Sequence, residues 1–179
     1  YAAAQEFKAK VEEYSGGSIE LTIFPNGTLY GGDGNAAVTS VGNGSLDIVI
    51  LAASLYASFD PSFFVISVPY LFDDTKQLQD YLNSDTGKDL FNSVESMGIT
   101  CLGRWTRSFR QITNSKTPVN SPDDLKGMVL RTPSNSLYTE YFTACGATAT
   151  PMNFSEVYNA LQLNTLDGQE NPVDVPATN

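Results

Sequence analysis

The chain has 179 residues, of which 41% are hydrophobic, with a formal net charge of −10 and no histidine. That length suits one large or two small domains, and no apolar run approaches the roughly 18 residues of a membrane helix. The acidity argues against nucleic acid, whose phosphates require a basic patch, and the missing histidine excludes Ser-His-Asp and Cys-His catalysis and histidine metal sites.

Residues 1–15 place Phe7, Val11 and Tyr14 on one helical face, and Gly16-Gly17 ends that helix. Residues 18–24 alternate Ile19, Leu21 and Ile23 as a strand does, and Pro25-Asn26-Gly27 turns the chain. A small-residue helix is expected over 33–43. The apolar run 47–51 reads as a strand covered on both faces. A loop through Asp60-Pro61 and Val68-Pro69-Tyr70 leads to two helices, one with Leu78, Tyr81 and Leu82, the next with Leu90, Phe91, Val94 and Met97. Residues 99–103 read as a strand. Ser121-Pro122-Asp123-Asp124 starts a short helix with acids at its positive end. A strand over 128–132 stops at Pro133. A helix after Ser136 carries Leu137, Tyr141 and Cys145. Asn153 and Glu156 have capping-box spacing for a helix through Gln162, and Leu166 opens another strand. Tyr1 begins directly in a helical pattern and residues 173–179 stop without a closing element, so both ends read as cuts in a longer chain.

Strands alternating with helices give an α/β fold. The stretches from Thr22 to Leu51 and from Ala149 to Glu170 share the order strand, proline loop, helix, Asn-rich turn, strand, which suggests two similar lobes.

Gly32-Asp33-Gly34-Asn35-Ala36-Ala37 fits a dinucleotide-binding spacing, but no strand directly precedes it. Ala52, Ala53 and Ser54 stand where an acid should hold the ribose, so it reads as a helix entry. The sequons at Asn26, Asn43 and Asn153 fall where turns and caps favour asparagine. Cys101 and Cys145 cannot form a zinc site alone and are expected to be free, buried thiols rather than a disulfide. Asp123-Asp124 is explained by the helix dipole, whereas Asp167 and Glu170 lie at a strand end, near where a ligand would sit. The four arginines are Arg104, Arg107, Arg110 and Arg131. Arg131 ends a strand before Thr132-Pro133, and ligands of α/β sheets bind at strand ends. A guanidinium there can grip a carboxylate through two parallel hydrogen bonds, or serve a structural ion pair; residue physics leaves both open.

Three blocks carry a family resemblance. Gly127-Met128-Val129-Leu130-Arg131-Thr132-Pro133, then Thr150-Pro151-Met152-Asn153-Phe154-Ser155-Glu156-Val157-Tyr158-Asn159-Ala160-Leu161-Gln162, then Leu166-Asp167-Gly168-Gln169-Glu170-Asn171-Pro172 resemble the DctP-type substrate-binding proteins of TRAP (tripartite ATP-independent periplasmic) transporters. Phe24-Pro25-Asn26-Gly27, Gly44-Ser45-Leu46-Asp47, Pro69-Tyr70-Leu71-Phe72 and Phe109-Arg110-Gln111-Ile112-Thr113-Asn114-Ser115 extend the resemblance along the chain. It implies a two-lobed, periplasmic-binding-protein-like α/β fold with a hinge and a central ligand cleft. Lobe 1 is expected over 1–107 and lobe 2 over 108–179, both incomplete and meeting near residues 103–109. It further implies a monomeric periplasmic protein, not an enzyme, that captures a small carboxylate without metal or cofactor and delivers it to membrane permease subunits. By the same resemblance Arg131 pairs with the ligand carboxylate, and Arg110 and Asn171 face the same cleft. Phe154 lines the pocket. Trp105 is a further candidate for stacking on the ligand. The alternative is an α/β enzyme acting on an organic acid, with Arg131 as anchor and Glu170 or Asp167 as the acid-base group.

Overall fold

Helices begin where short polar side chains can hold unpaired backbone N–H groups, and most of these starts are local. The computed structural model describes residues 1–178. Helix α1 spans Ala2–Tyr14. Helix α2 spans Gly34–Gly42, with the Asp33 carboxylate accepting from the backbone N–H groups of Asn35 (2.8 Å) and Ala36 (3.3 Å). The glycine-rich stretch is thus a capped helix entry, as its sequence suggests. Helix α3 (Thr75–Asn83) is capped by Asp74, and α4 (Asp85–Asn92) by Ser84. A 3₁₀ turn over Ser93–Met97 ends at Gly98, whose φ of 76° suits glycine. The short helix expected after Ser121 is a 3₁₀ turn over Pro122–Leu125, on which Ser121 and Asp124 make a capping box.

The sheet has four strands: β1 (Arg110–Asn114), β2 (Val129–Thr132), β3 (Thr148–Pro151) and β4 (Gly168–Pro172), in the order β1-β4-β2-β3. Strands β2, β3 and β4 run parallel, and β1 pairs antiparallel with β4. Helix α5 (Ser136–Ala144) joins β2 to β3, and α6 (Phe154–Gln162) joins β3 to β4. The first crossover moves away from β4 and the second moves back past β2. Right-handed crossovers in opposite directions put the two helices on opposite faces of the sheet. Packing agrees with this: Phe142 of α5 meets Leu130, whereas Phe154 of α6 meets Arg131, the next residue on β2.

Two separate apolar cores follow. Val38, Ala57, Phe63, Leu90, Val94 and Ile99 form one, and Leu125, Met128, Leu130, Phe142 and Ala147 the other. Residues 99–109 run between them without regular structure. Arg107 and Ser108 on this link bond Asp174, in the short helix α7 (Asp174–Thr178).

Several expectations are corrected. Residues 18–24, 47–51 and 99–103 alternate or run apolar as strands do, yet none joins a sheet. A strand is defined by a neighbour's N–H and C=O groups, and among the described residues none lies alongside them. The repeat therefore survives only in its second copy, β3-α6-β4. The loop expected around Asp60-Pro61 is two 3₁₀ helices, Ala53–Ser58 and Pro61–Ser67. Asn153 precedes α6, but its side chain makes no cap hydrogen bond. Strand β1 went unread in the sequence, because its apolar signal is Ile112 alone. Residues past Val173 form a short helix, α7; Asn179 lies outside the described residues. Both cysteines are free, as expected, but half-buried rather than buried. Cys101 packs on the first core and Cys145 on the second.

A buried bond joins the two halves of the chain. Asn135 Nδ2 donates to the carbonyl of Ser54 at 2.8 Å, while Asn135 Oδ1 caps α5 by accepting from the Tyr138 N–H at 3.3 Å. Asn135→Ala removes both the cap and the buried bond to Ser54. It is expected to cost ~1–3 kcal/mol in urea unfolding, and Asn135→Ser, which restores only the cap, should recover part of that.

Candidate ligand-binding site

The carboxyl ends of β2 and β4 are where an α/β sheet of this kind places a ligand crevice. Arg131 lies near the end of β2, directly beside Gln169 of β4. Asn171 lies two residues further along β4, on the same face as Gln169. Strand β1 is antiparallel, so its first residue, Arg110, reaches the same end of the sheet, opposite Pro172. Three residues expected in a ligand site thus converge from strands far apart in sequence. The fourth, Phe154, starts α6 and places its ring 5.9 Å from the Arg131 guanidinium. Half-exposed, that ring forms an apolar wall of the crevice.

The two arginines are held differently. Arg131 is only 4% exposed. Its Nε and Nη2 donate to the carbonyl of Met152 at 2.9 and 2.7 Å, and among the described residues no acid forms an ion pair with it. Two of its five N–H donors are thereby fixed, which aims the rest of the guanidinium. Burial pushes its pKa down to about 10; the charge of Glu170 raises it and that of Arg110 lowers it. It remains a cation at neutral pH.

Arg110 is instead paired with an acid. Its Nε donates to Glu170 Oε2, and its Nη2 donates to Glu170 Oε1 (2.8 Å), the Glu170 carbonyl (2.9 Å) and Asn171 Oδ1 (3.3 Å). Burial alone lowers its pKa, but the hydrogen bonds and charge of Glu170 overcome this, and the net shift is upward. The Tyr138 ring stacks under the guanidinium at 5.1 Å. A polar chain continues from Asn171 Nδ2 to Gln169 Oε1 and from Gln169 Nε2 to Thr113 Oγ1 (2.7 Å).

Two contacts bring the first half of the chain against this end of the sheet. Gly32, at φ 77°, approaches the first turn of α6 so closely that a Cβ there would lie 2.4 Å from Ser155 Oγ. Ser54 meets Asn135 just beyond the end of β2. Neither contact is written in a local pattern, so Gly32, Ser54 and Asn135 were missed. Tyr138 was missed because a tyrosine on a helix reads equally as core. The alternation of Gln169 and Asn171 was the one available sign that both face one way.

Trp105 is not brought into this cluster. It stands 55% exposed on the link between the cores, and among the described residues no ring contact or hydrogen bond joins it to Arg131. A groove of about 1220 Å³ runs along β1, lined by Tyr70, Arg110, Ile112, Tyr138, Tyr141 and Glu170. Arg131 does not line it. The convergence of polar groups at the strand ends marks the candidate site better than the groove's size does, because orientation and charge, not volume, fix a small polar ligand.

The acid-base roles considered for an enzyme lose their geometry here. Glu170 is 3% exposed and neutralised by Arg110. Asp167 lies at the opposite end of the sheet, accepting from the Val129 N–H at 2.9 Å and pairing with Lys116 at 3.1 Å. These contacts hold its pKa below the usual aspartate range, the backbone bond contributing most. A depressed folded-state pKa gives stability that is present above the unfolded aspartate value and is lost as pH falls through the folded value. Asp167→Asn should therefore be less stable than wild type at pH 7, and in urea titrations the gap should narrow as pH falls below the ordinary aspartate range.

Comparison with known proteins agrees with this geometry. A family described as DctP, bacterial extracellular solute-binding protein, family 7, matches residues 1–178. The chain is 35% identical over 175 residues to the 2,3-diketo-L-gulonate-binding periplasmic protein YiaO of Escherichia coli, covering 98% of this chain and 53% of that one. It is 34% identical over 171 residues to the C4-dicarboxylate-binding protein DctB of Bacillus subtilis, covering 96% of this chain and 48% of that one. Among solved structures, the sugar acid binding protein DctPAm of Advenella mimigardefordensis, in complex with galactonate, superposes with a TM-score of 0.90 at 35% identity, over 96% of this chain and 55% of that one. The chain thus spans about half the length of these relatives.

Proposed function

Because this chain belongs to the DctP family of bacterial extracellular solute-binding proteins, we propose that it is the ligand-gripping part of a periplasmic receptor for a small organic acid, which it delivers to a TRAP-type membrane permease. The observation that carries this reading is Arg131: a buried guanidinium, fixed by a backbone carbonyl, with no acid paired to it among the described residues. A buried cation without a counter-charge is costly, and an incoming carboxylate supplies what is missing. Arg110, Asn171 and Phe154 complete the site, the first two as hydrogen-bonding neighbours and the last as an apolar wall. Relatives that bind diketogulonate, C4-dicarboxylates and galactonate support an organic acid as the ligand class.

The separate cores support lobes over 1–107 and 108–179, joined by the unstructured link and facing each other across Gly32, Ser54 and Asn135. Ligand touching both walls would favour the closed population, because only that arrangement offers all contacts at once. No described helix is long and apolar enough to cross a membrane, and the periplasmic names of relatives support the location.

The test is a thermal-shift screen of the full-length protein against organic acids and their neutral amides. A ligand at about 100 times its Kd adds ~2.7 kcal/mol of stability, so true ligands should raise Tm and their amides should not. Consumption of an acid during incubation, or shifts by neutral compounds alone, would count against the proposal.

A further inference from the structure

We infer that Gln169 is a positioning residue, anchored on Thr113, that fixes which end of the Asn171 amide meets a bound acid. The inference rests on the proposed function and adds to it two residues that act from behind Asn171. Pairing across β2, β4 and β1 sets Arg131, Gln169 and Thr113 side by side in one row. Side chains alternate along a strand, so Asn171, two residues past Gln169, lies on the same face and nearer the carboxyl end of β4. Both amides are buried, Gln169 at 4% and Asn171 at 8% exposure.

The two ends of a side-chain amide are nearly equal in size and opposite in polarity, so packing does not choose between them. Here the hydrogen bonds do. A guanidinium only donates, so Arg110 Nη2, at 3.3 Å, requires the oxygen of Asn171. That turns Asn171 Nδ2 toward Gln169, where it donates to Oε1. Gln169 Nε2 then faces the other way and donates to Thr113 Oγ1 at 2.7 Å. A hydroxyl both accepts and donates, so Thr113 ends the chain without opposing its direction. Turning either amide over would set donor against donor. Asn171 Nδ2 carries two hydrogens and Gln169 takes one; among the described residues no bond takes the other. Asn171 therefore offers an N–H donor to a ligand oxygen, and Gln169 is what keeps that donor in place.

The experiment is a double-mutant cycle in binding. D-galactonate, 2,3-diketo-L-gulonate and succinate are titrated calorimetrically into the full-length protein, and the tightest is followed through the variants; where none of the three binds, the best hit of the thermal-shift screen replaces them. Gln169→Leu is expected to weaken binding about threefold to tenfold, because the freed Asn171 side chain must then be ordered on binding. In the Asn171→Ala background the same substitution should change Kd less than about twofold, since no amide remains to be oriented. A loss equally large in that background overturns the inference, because Gln169 then meets the acid itself or serves only the sheet. Binding by Gln169→Leu within about twofold of wild type overturns it as well. Where Gln169→Leu does not fold, the exposed Thr113 takes its place. Thr113→Val should weaken binding about threefold, and Thr113→Ser, which keeps the hydroxyl, should restore it; equal binding by all three proteins overturns the inference. Additive losses with an acid that binds wild type leave the receptor reading intact, whereas an absence of any acid hit sinks that reading and this inference with it.

Discussion

Arg131→Ala, in the full-length protein, is expected to weaken binding of the organic acid by ~2–5 kcal/mol, roughly 30- to several thousand-fold in Kd. The size follows from where the guanidinium sits. It is buried, so its bonds to a carboxylate are made away from water and are worth more than exposed ones. Its removal also leaves the ligand's charge in a desolvated crevice. Arg131→Lys should rescue little. An ammonium cannot donate to Met152 and still present a planar pair of donors to a carboxylate. The measurement is calorimetric titration of wild type and both variants, with circular dichroism to confirm folding. Binding by Arg131→Ala within about threefold of wild type, a change under 1 kcal/mol, would make Arg131 a structural residue and move the anchor to Arg110 and Asn171.

Arg110→Met is expected to destabilise the protein by ~3–5 kcal/mol in urea unfolding at pH 7. The cause is Glu170, whose buried carboxylate loses the donors that now engage both of its oxygens. The double variant Arg110→Met/Glu170→Leu should recover most of that loss, because an apolar pair of similar volume carries no desolvation cost. A double-mutant cycle isolates the coupling. If Arg110→Met costs under about 1 kcal/mol, the pair is no stronger than an exposed one. Arg110 and Arg131 thus separate into different roles. One is tied to Glu170 at the end of the sheet, and the other is left without a paired acid among the described residues.

Helix starts were largely legible in the sequence because their causes are local. Asp33, Ser121 and Asp124 each satisfy backbone groups within four residues of themselves, and such bonds leave a readable spacing. Asn153 shows the limit, since its spacing with Glu156 is right but no side-chain bond forms. The ligand-site residues were legible mainly through resemblance, block by block. Arg131, Arg110, Asn171 and Phe154 do converge, while Trp105 does not, having been proposed only as an aromatic of suitable chemistry.

By itself the sequence determined the α/β alternation, most helix boundaries, the acidic histidine-free chemistry that leaves arginine to handle an anion, and the blocks that mark the family. The tertiary structure alone decided which apolar runs became strands. Residues 18–24 and β4 both read as strands, but only β4 has neighbours to pair with. It alone decided, too, that Glu170 neutralises Arg110 and that Met152 aims Arg131. The reason is range. A helix closes its hydrogen bonds within four residues, whereas β1 meets β4 across nearly sixty, and whether an arginine is spent or available depends on which acid the fold carries to its side.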